Sequence, residues 1–197
     1  PDTGFEEAVH AWIDTVIDGP VAVEMTALVD RLGPHADSDA LGQKLIALTA
    51  PGIPDVYQGT ELWEDSLVDP DNRREVDYSE RRTALDTMTH PKMRVVRAAL
   101  RLRRERPDTF VSGTYRPVPA DGALAEHVVA FLRGEDVLVA VSRWTVRLGD
   151  SGWEDTTVAL PEGEWTDVLS NARRRGTVPA GELFAEMSVA LLVRADA

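Results

Sequence analysis

The chain has 197 residues, of which 43% are hydrophobic and 28% charged, as in an ordinary soluble globular protein of one or two domains. Its 34 acidic and 21 basic residues give a net charge of −13, which argues against nucleic acid and anionic membrane surfaces, because both attract basic proteins. The absence of cysteine excludes disulfides, thiol catalysis and thiolate metal sites. No apolar run approaches the roughly 20 residues that span a bilayer, so we expect no membrane partner and a cytoplasmic protein.

The first half has the apolar spacing of helices. A helix is predicted over Phe5–Ile17, and a second from Pro20 to about Leu32, where Gly33 and Pro34 should end it. The remaining predicted elements of this half are a helix from Asp37 or Ser38 to Pro51-Gly52, a short buried strand over Ile53–Tyr57, and helices over Ser79–Met88 and Pro91–Arg106.

The second half changes to short β-type segments separated by Gly, Pro and Asp. The predicted strands are Phe110–Val118, Glu126–Arg133, Val137–Arg143, Thr156–Leu160, Trp165–Leu169, Arg175–Val178 and Ser188–Arg194. Short strands with regular turns are typical of an antiparallel β-sandwich. We therefore divide the chain into residues 1–106 and 107–197.

The predicted strand over Ile53–Tyr57 needs neighbours that this chain does not supply. A single buried strand forms no sheet, whereas the last strand of a (β/α)8 barrel would have parallel partners. The chain also starts at Pro1 rather than Met and enters an amphipathic pattern almost at once. Both observations predict a fragment of a longer protein, of the α+β class.

The segment from Gly52 to Arg74 concentrates the polar chemistry of the chain. Its side chains combine carboxylates, an aromatic ring and guanidinium groups: Glu61, Trp63, Asp65, Asp69, Asp71, Asn72, Arg73 and Arg74. An aromatic face covers the apolar side of a pyranose, while Asp and Arg give charge-assisted hydrogen bonds to its hydroxyls. The segment therefore predicts a sugar site in a loop at a strand end.

Two runs within this segment resemble a known family. GIPDVYQGTE at residues 52–61 resembles the eighth-strand segment of the α-amylase superfamily (glycoside hydrolase family thirteen), and DPDNRR at residues 69–74 resembles the loop that follows it. The longer run LTAPGIPDVYQGTELW, with SLVDPDNRR and VDY after it, is most similar to members that convert the reducing-end α-1,4 linkage of maltodextrins to an α,α-1,1 linkage. The resemblance is specific over residues 48–78 and weak after residue 107.

The resemblance implies a retaining mechanism with three carboxylates, a nucleophile, an acid/base and a stabilising group. In this family they stand on the fourth, fifth and seventh barrel strands, which this chain does not contain. We therefore assign no catalytic residue here and expect the chain alone to be inactive. The resemblance implies a maltooligosaccharide substrate and the remainder of the catalytic barrel as partner. We expect neither cofactor nor metal, since the DPDN run at residues 69–72 lacks the glycine and distal glutamate of a calcium loop and precedes two arginines.

The resemblance also implies substrate contacts within the loop. Asp69 and Arg73 occupy the positions that bind the sugar next to the scissile bond, Tyr57 and Gln58 would line the pocket, and Trp63 would be a sugar platform. Glu61 is a further candidate contact. One departure is visible at Glu75, where relatives usually have proline.

Structural alternatives stay open for each of these residues. Asp69 and Arg73 could form an ion pair that holds the loop, Trp63 could anchor the loop in the core, and Glu61 could bind backbone. Four arginines at helical spacing, Arg94, Arg97, Arg101 and Arg104, favour a solvated face over nucleic-acid binding in so acidic a chain. For function, the alternatives are another glucan hydrolase or transferase of the superfamily, and a non-catalytic carbohydrate-binding or structural module.

Overall fold

The computed structural model describes residues 2–64, 66, 68, 73–149 and 152–195. The helices are α1 Thr3–Ile17, α2 Pro20–Thr49, α3 Tyr78–Thr87, α4 Pro91–Glu105, α5 Pro107–Val111, α6 Thr145–Leu148 and α7 Ala180–Leu183. The strands are β1 Tyr115–Pro117, β2 Ala120–Asp121, β3 Val128–Arg133, β4 Val137–Ser142, β5 Thr157–Ala159, β6 Trp165–Asp167, β7 Arg173–Arg174, β8 Thr177–Pro179 and β9 Val189–Arg194. The chain divides into two compact units, residues 1–37 and 38–197.

The first unit contains α1, which confirms the helix predicted over Phe5–Ile17. Its N-cap is Asp2, whose Oδ1 accepts a hydrogen bond of 3.1 Å from the Phe5 N–H. No residue of α1 is buried, and the apolar side chains of Phe5 and Trp12 are 67% and 66% exposed. The apolar stripe that predicted this helix therefore faces no core within the described chain.

The predicted break at Gly33 and Pro34 is wrong, because α2 continues through both residues. Proline has no N–H to donate to the carbonyl four residues earlier, but its fixed φ is compatible with a helix. After Pro34 the helix buries Leu41, Leu45 and Leu48 in the core, and such packing supplies most helical stability, so the lost hydrogen bond does not end the helix. The separate helix predicted from Asp37 or Ser38 is the C-terminal part of α2.

Replacing Pro34 by Ala is expected to stabilise α2 by about 1–3 kcal/mol, because it restores the missing N–H and removes the ring from the helix interior. Circular dichroism should show more helix and a higher midpoint of thermal unfolding. Pro20→Ala is the matched control, since Pro20 begins α2, where proline costs little. Equal effects of the two substitutions would contradict the prediction.

The buried strand predicted over Ile53–Tyr57 is also wrong in this structure. These residues form no strand, and the Ile53 side chain is 98% exposed. No described strand lies beside them to supply ladder hydrogen bonds, and an extended segment without a neighbour does not qualify as a strand. The described part of the chain does not enclose this apolar run.

The second unit combines helices with two antiparallel sheets. The larger sheet has the order β1-β3-β4-β9-β6-β7, and the smaller one has the order β2-β5-β8. Each of the seven predicted strand regions overlaps an observed strand, although only Thr177 and Val178 of β8 lie within Arg175–Val178. In Phe110–Val118, α5 takes the first residues and β1 is only Tyr115–Pro117, since Pro107 is well placed to start a helix.

Strands β3, β4 and β9 form the centre of the large sheet and are buried on both faces. Phe131, Val139 and Leu191 lie in register and share an apolar cluster with the C-terminal part of α2 and with α4. This contact joins residues 38–106 to the sheet. The domain boundary predicted at residue 107 lies inside this unit and stays a prediction.

The opposite face of the same strands packs towards the smaller sheet. Leu132, Leu138 and Leu192 belong to a second apolar cluster with Val158 of β5 and Val178 of β8. The alternation of side chains along each strand therefore fills two clusters from one sheet. Among the described helices, none has both the length and the apolar content that crossing a bilayer requires.

Candidate functional site

A tight turn over residues 57–60 organises the candidate site. The Thr60 hydroxyl donates to the carbonyl of Tyr57 at 2.7 Å, and Lys44 Nζ on α2 donates to the same hydroxyl at 3.4 Å. The turn needs glycine at position 59, whose φ is +89° and where a Cβ would lie 3.3 Å from Val76. Gly59 is buried, so the turn is packed against the segment that leads into α3.

Arg81 holds the turn from the other side. Its Nη2 donates to the carbonyl of Gly59 at 2.8 Å, and its Nη1 donates to the carbonyl of Asp77 and to Glu80 Oε2, both at 3.2 Å. A single guanidinium thus joins the turn to the first residues of α3. These hydrogen bonds fix the backbone at Gly59 and at Asp77, the residue before α3.

A polar cavity of about 210 Å³ opens beside this turn. Its lining residues are Tyr57, Gln58, Thr60, Glu64, Ser66, Arg74, Glu75, Val76, Asp77 and Arg81. The ring of Tyr57 is about half exposed, and Gln58 Oε1 accepts a hydrogen bond of 2.9 Å from the Tyr78 hydroxyl. The cavity therefore offers a ring, an amide, hydroxyls and charges of both signs, which suit a ligand that carries many hydroxyl groups.

Asp77 is a fixed negative charge at the cavity wall. It is the N-cap of α3, and its Oδ1 accepts hydrogen bonds from the Glu80 N–H at 2.9 Å and the Ser79 N–H at 2.8 Å. The hydrogen bond from Glu80, with that from Ser79 and the guanidiniums of Arg81 and Arg82, lowers the pKa of Asp77 below its ordinary value, against a smaller opposing effect of burial. Asp77 is therefore a carboxylate at neutral pH.

Trp63 does not line this cavity. Its ring lies 5.0 Å from that of His90, and Lys92 Nζ lies 5.7 Å from the ring centroid. The ring packs against the apolar cluster that α2 and α4 share with the large sheet. Lys92 in turn donates to the carbonyl of Leu62 at 2.9 Å. These contacts favour the anchoring role over a sugar platform, and the platform role stays a prediction.

Glu61 lines a different and more apolar cleft of about 390 Å³ between α3 and α4. The cleft walls are mainly apolar, with arginines at the edge: Val56, Glu61, Tyr78, Arg81, Arg82, Leu85, Met93, Val96, Arg97, Leu100 and Arg101. The structure thus separates Glu61 from Tyr57 and Gln58, which share the polar cavity.

The two residues with the most specific predicted role are Asp69 and Arg73. Asp69 lies outside the described residues, and Arg73 is exposed, immediately before the cavity-lining Arg74. Sequence inspection missed Asp77, although a carboxylate followed three residues later by Glu80 is a helix-start signature that points to it. It also missed Ser66, for which no local pattern gives a signal. No group of three His, Asp or Glu side chains suited to a metal occurs among the described residues.

No protein-family model matches the chain. A putative maltooligosyl trehalose synthase of Mycobacterium tuberculosis is 60% identical to it over 197 residues, which are all of this chain and 26% of that protein. The chain is homologous to part of a maltooligosyltrehalose synthase. This finding confirms the resemblance inferred from residues 52–74, and the chain spans about a quarter of the length of the curated relatives that it matches.

Solved structures agree with this homology. The maltooligosyltrehalose synthase of Arthrobacter ramosus is 41% identical, with a TM-score of 0.90, over 98% of this chain and 27% of that one. A hypothetical maltooligosyl trehalose synthase of Sulfolobus tokodaii is 27% identical, with a TM-score of 0.69, over 98% of this chain and 26% of the other. The mixture of helices and antiparallel sheet is therefore shared with synthase structures.

Proposed function

We propose that the chain is the C-terminal part of a (1→4)-α-D-glucan 1-α-D-glucosylmutase. The intact protein would convert the reducing-end α-1,4 linkage of a maltodextrin to the α,α-1,1 linkage of a maltooligosyl-trehalose. The observation that carries this proposal is the match of the whole chain, at 60% identity, to a quarter of a maltooligosyl trehalose synthase. A cytoplasmic setting remains part of the proposal.

The role of this chain would be to form one wall of the glucan site. Its support is the polar cavity, where Tyr57 and Gln58 lie together beside Arg74 and the carboxylate of Asp77. Arg73 immediately precedes the cavity-lining Arg74, so the predicted contacts of Asp69 and Arg73 with a sugar would extend this wall. Guanidinium and carboxylate groups bind vicinal hydroxyls through charge-assisted hydrogen bonds, which are stronger than neutral ones.

The catalytic carboxylates would be supplied by the remainder of the longer protein. Two features support a covering partner of this kind: the nearly fully exposed Ile53 and the apolar cleft beside Val56. A barrel around residues 52–61 and a sandwich made of the two sheets are the finer parts of this proposal. The sharing of one apolar cluster by both sheets supports the sandwich.

The count of reducing ends tests the proposed reaction. An α,α-1,1 linkage joins two anomeric carbons, so a mutase acting on maltohexaose removes the reducing end of each molecule without shortening it. The intact protein is therefore expected to lower the reducing-sugar signal at constant chain length, measured by mass spectrometry. A rise in reducing ends would identify a hydrolase and contradict the mutase proposal, and the 197-residue chain is the inactive control.

Binding of maltose to the 197-residue chain separates the proposal from a carbohydrate-binding module. If the chain forms only one wall of the site, we expect it to show no binding of maltose at millimolar concentration in an NMR titration. Saturable binding that is lost in Arg73→Ala would instead support a module that acts without the remainder of the protein.

A further inference from the structure

A third cleft lies between α4 and the turn that follows β6, and it shares Arg97 and Arg101 with the apolar cleft that contains Glu61. Its volume is about 410 Å³, within the range of small-molecule sites. Its walls are formed by side chains of α4, of residues 168–171 and of Met88, the C-cap of α3: Met88, Arg94, Arg97, Ala98, Arg101, Leu102, Glu105, Val168, Leu169 and Asn171. None of these residues lines the polar cavity at Tyr57.

The wall opposite α4 is held in place by hydrogen bonds. Arg94 Nη2 donates to the carbonyl of Leu169 at 2.6 Å, which ties the turn to the helix. The buried Asp167 accepts from the Leu169 N–H at 3.0 Å and from the Ser170 hydroxyl at 2.7 Å. Asn171, with a φ of +62°, donates its N–H to the carbonyl of Asp167 at 2.7 Å. The cleft is therefore formed before any ligand arrives.

Arg97 and Arg101 line this cleft without an anionic partner in the described part of the chain. They are one helical turn apart on α4, so their guanidiniums lie on the same face. Neither makes a hydrogen bond or an ion pair with any described residue, although the chain has 34 acidic side chains. Glu105 also lines the cleft, one turn beyond Arg101, and forms no ion pair with it.

We propose that this cleft binds the phosphate group of a small phosphate ester or free phosphate. The guanidiniums of Arg97 and Arg101 would donate hydrogen bonds to the phosphate oxygens. The planar arrangement of their N–H groups suits bidentate binding of phosphate. The apolar side chains of Ala98, Leu102 and Leu169 would contact the uncharged body of an ester. Maltodextrins carry no charge, so this site goes beyond the proposed glucan reaction and gives the protein a separate response to an anionic small molecule.

Calorimetric titration of the 197-residue chain tests the proposal with two probes, inorganic phosphate and phenyl phosphate, against sodium chloride at equal ionic strength. We expect saturable binding of at least one phosphate probe and none of chloride. Arg97→Ala and Arg101→Ala should each weaken binding by about tenfold or more, the size of a lost charge-assisted hydrogen bond. Arg104→Ala is the matched control, because Arg104 lies on the same helix outside the cleft.

The two probes distinguish the source of the phosphate. Tighter binding of phenyl phosphate indicates an ester whose body contacts the apolar wall, whereas equal affinities indicate free phosphate. Absence of phosphate binding above the chloride control overturns the proposal, and so does an equal loss in Arg104→Ala. Unfolding midpoints of the variants, measured by circular dichroism, exclude loss of folding as the cause of weaker binding.

Discussion

Replacing Asp167 by Ala is expected to lower the free energy of unfolding by roughly 2–6 kcal/mol, because it leaves two buried backbone N–H groups without acceptors at about 1–3 kcal/mol each. Asp167 is 5% exposed and lies at the end of β6. Its Oδ1 accepts from the Leu169 N–H at 3.0 Å and from the Leu191 N–H at 3.2 Å, so one carboxyl joins the β6 turn to β9. Urea unfolding at pH 7 measures the effect.

Asp167→Asn separates the hydrogen bonds from the charge. The amide oxygen can still accept from Leu169 and Leu191, and the amide nitrogen can donate to the Ser170 hydroxyl, so the contacts survive while the buried charge is removed. We therefore expect Asp167→Asn to be as stable as the parent or more stable at pH 7. A loss as large as that of the Ala variant would show that the charge itself, rather than the acceptor, stabilises the turn.

The pH dependence of the unfolding free energy, compared between the parent chain and Asp167→Asn, gives a second check. Burial raises the pKa of Asp167 above its ordinary value, against the opposing effects of the hydrogen bonds from Ser170, Leu169 and Leu191 and of the charge of Arg174. The folded chain thus retains the proton at pH values where the unfolded chain has released it. Its contribution to stability is complete below the ordinary pKa of about 4 and is lost as pH rises through the raised pKa.

Unfolding measured from pH 4 to 7 should therefore show the advantage of Asp167→Asn growing with pH and then levelling off. The difference between the two proteins is the relevant quantity, because the other carboxylates titrate equally in both. A difference that shrinks as pH rises would mean that the pKa of Asp167 is lowered rather than raised in the folded protein.

The strand region was predictable because its pattern depends on neighbours inside the chain. In β4, Leu138 and Val139 face opposite apolar clusters, and both clusters are filled by residues of the same 160-residue unit. The alternation of apolar side chains therefore predicts a strand, and the same unit supplies the surfaces that bury both of its faces. The start of that region was not predictable in the same way, since Phe110 satisfies a strand pattern but packs as part of the short helix α5.

Two predictions for the first half, the helix end at Pro34 and the strand at Ile53, are wrong for physical reasons. Pro34 has the local signature of a helix end, whereas the core packing of α2 beyond it outweighs one lost hydrogen bond. The apolar neighbours of Ile53 predict a buried strand, but burial and ladder hydrogen bonds require an adjacent strand, which the described residues do not supply. The local sequence pattern indicates which secondary structure a segment favours, whereas the structure it adopts also depends on the elements that pack against it.

The candidate site was predictable where function determines the motif and not where packing does. Tyr57 and Gln58 were identified from a family motif and do share one cavity. Trp63 and Glu61 belong to the same motif, but Trp63 turns to His90 and Glu61 to the apolar cleft. Side-chain direction in a loop depends on tertiary contacts such as that of Lys92 with Leu62, which no spacing rule contains.

Replacing Arg73 by Ala in the intact protein is expected to lower kcat/KM for maltohexaose by about 10- to 100-fold, the effect of losing one charge-assisted hydrogen bond to a bound sugar. Arg73 is exposed beside the cavity that contains Tyr57 and Gln58, so its removal should leave the core intact. Arg73→Lys should recover only part of the activity, because an ammonium group keeps the charge but lacks the two-pronged donor geometry.

Arg116→Ala is the matched control for Arg73. It removes the same charge from an exposed position on β1, where the contact with Glu135 is 3.9 Å and both side chains are more than half exposed. We expect this variant to retain full activity, since a surface ion pair of this kind contributes little. If Arg73→Ala keeps full activity while its unfolding midpoint falls, Arg73 acts as a structural ion-pair partner of the loop. A loss of kcat/KM at an unchanged midpoint, confined to Arg73, is the result that a substrate contact requires.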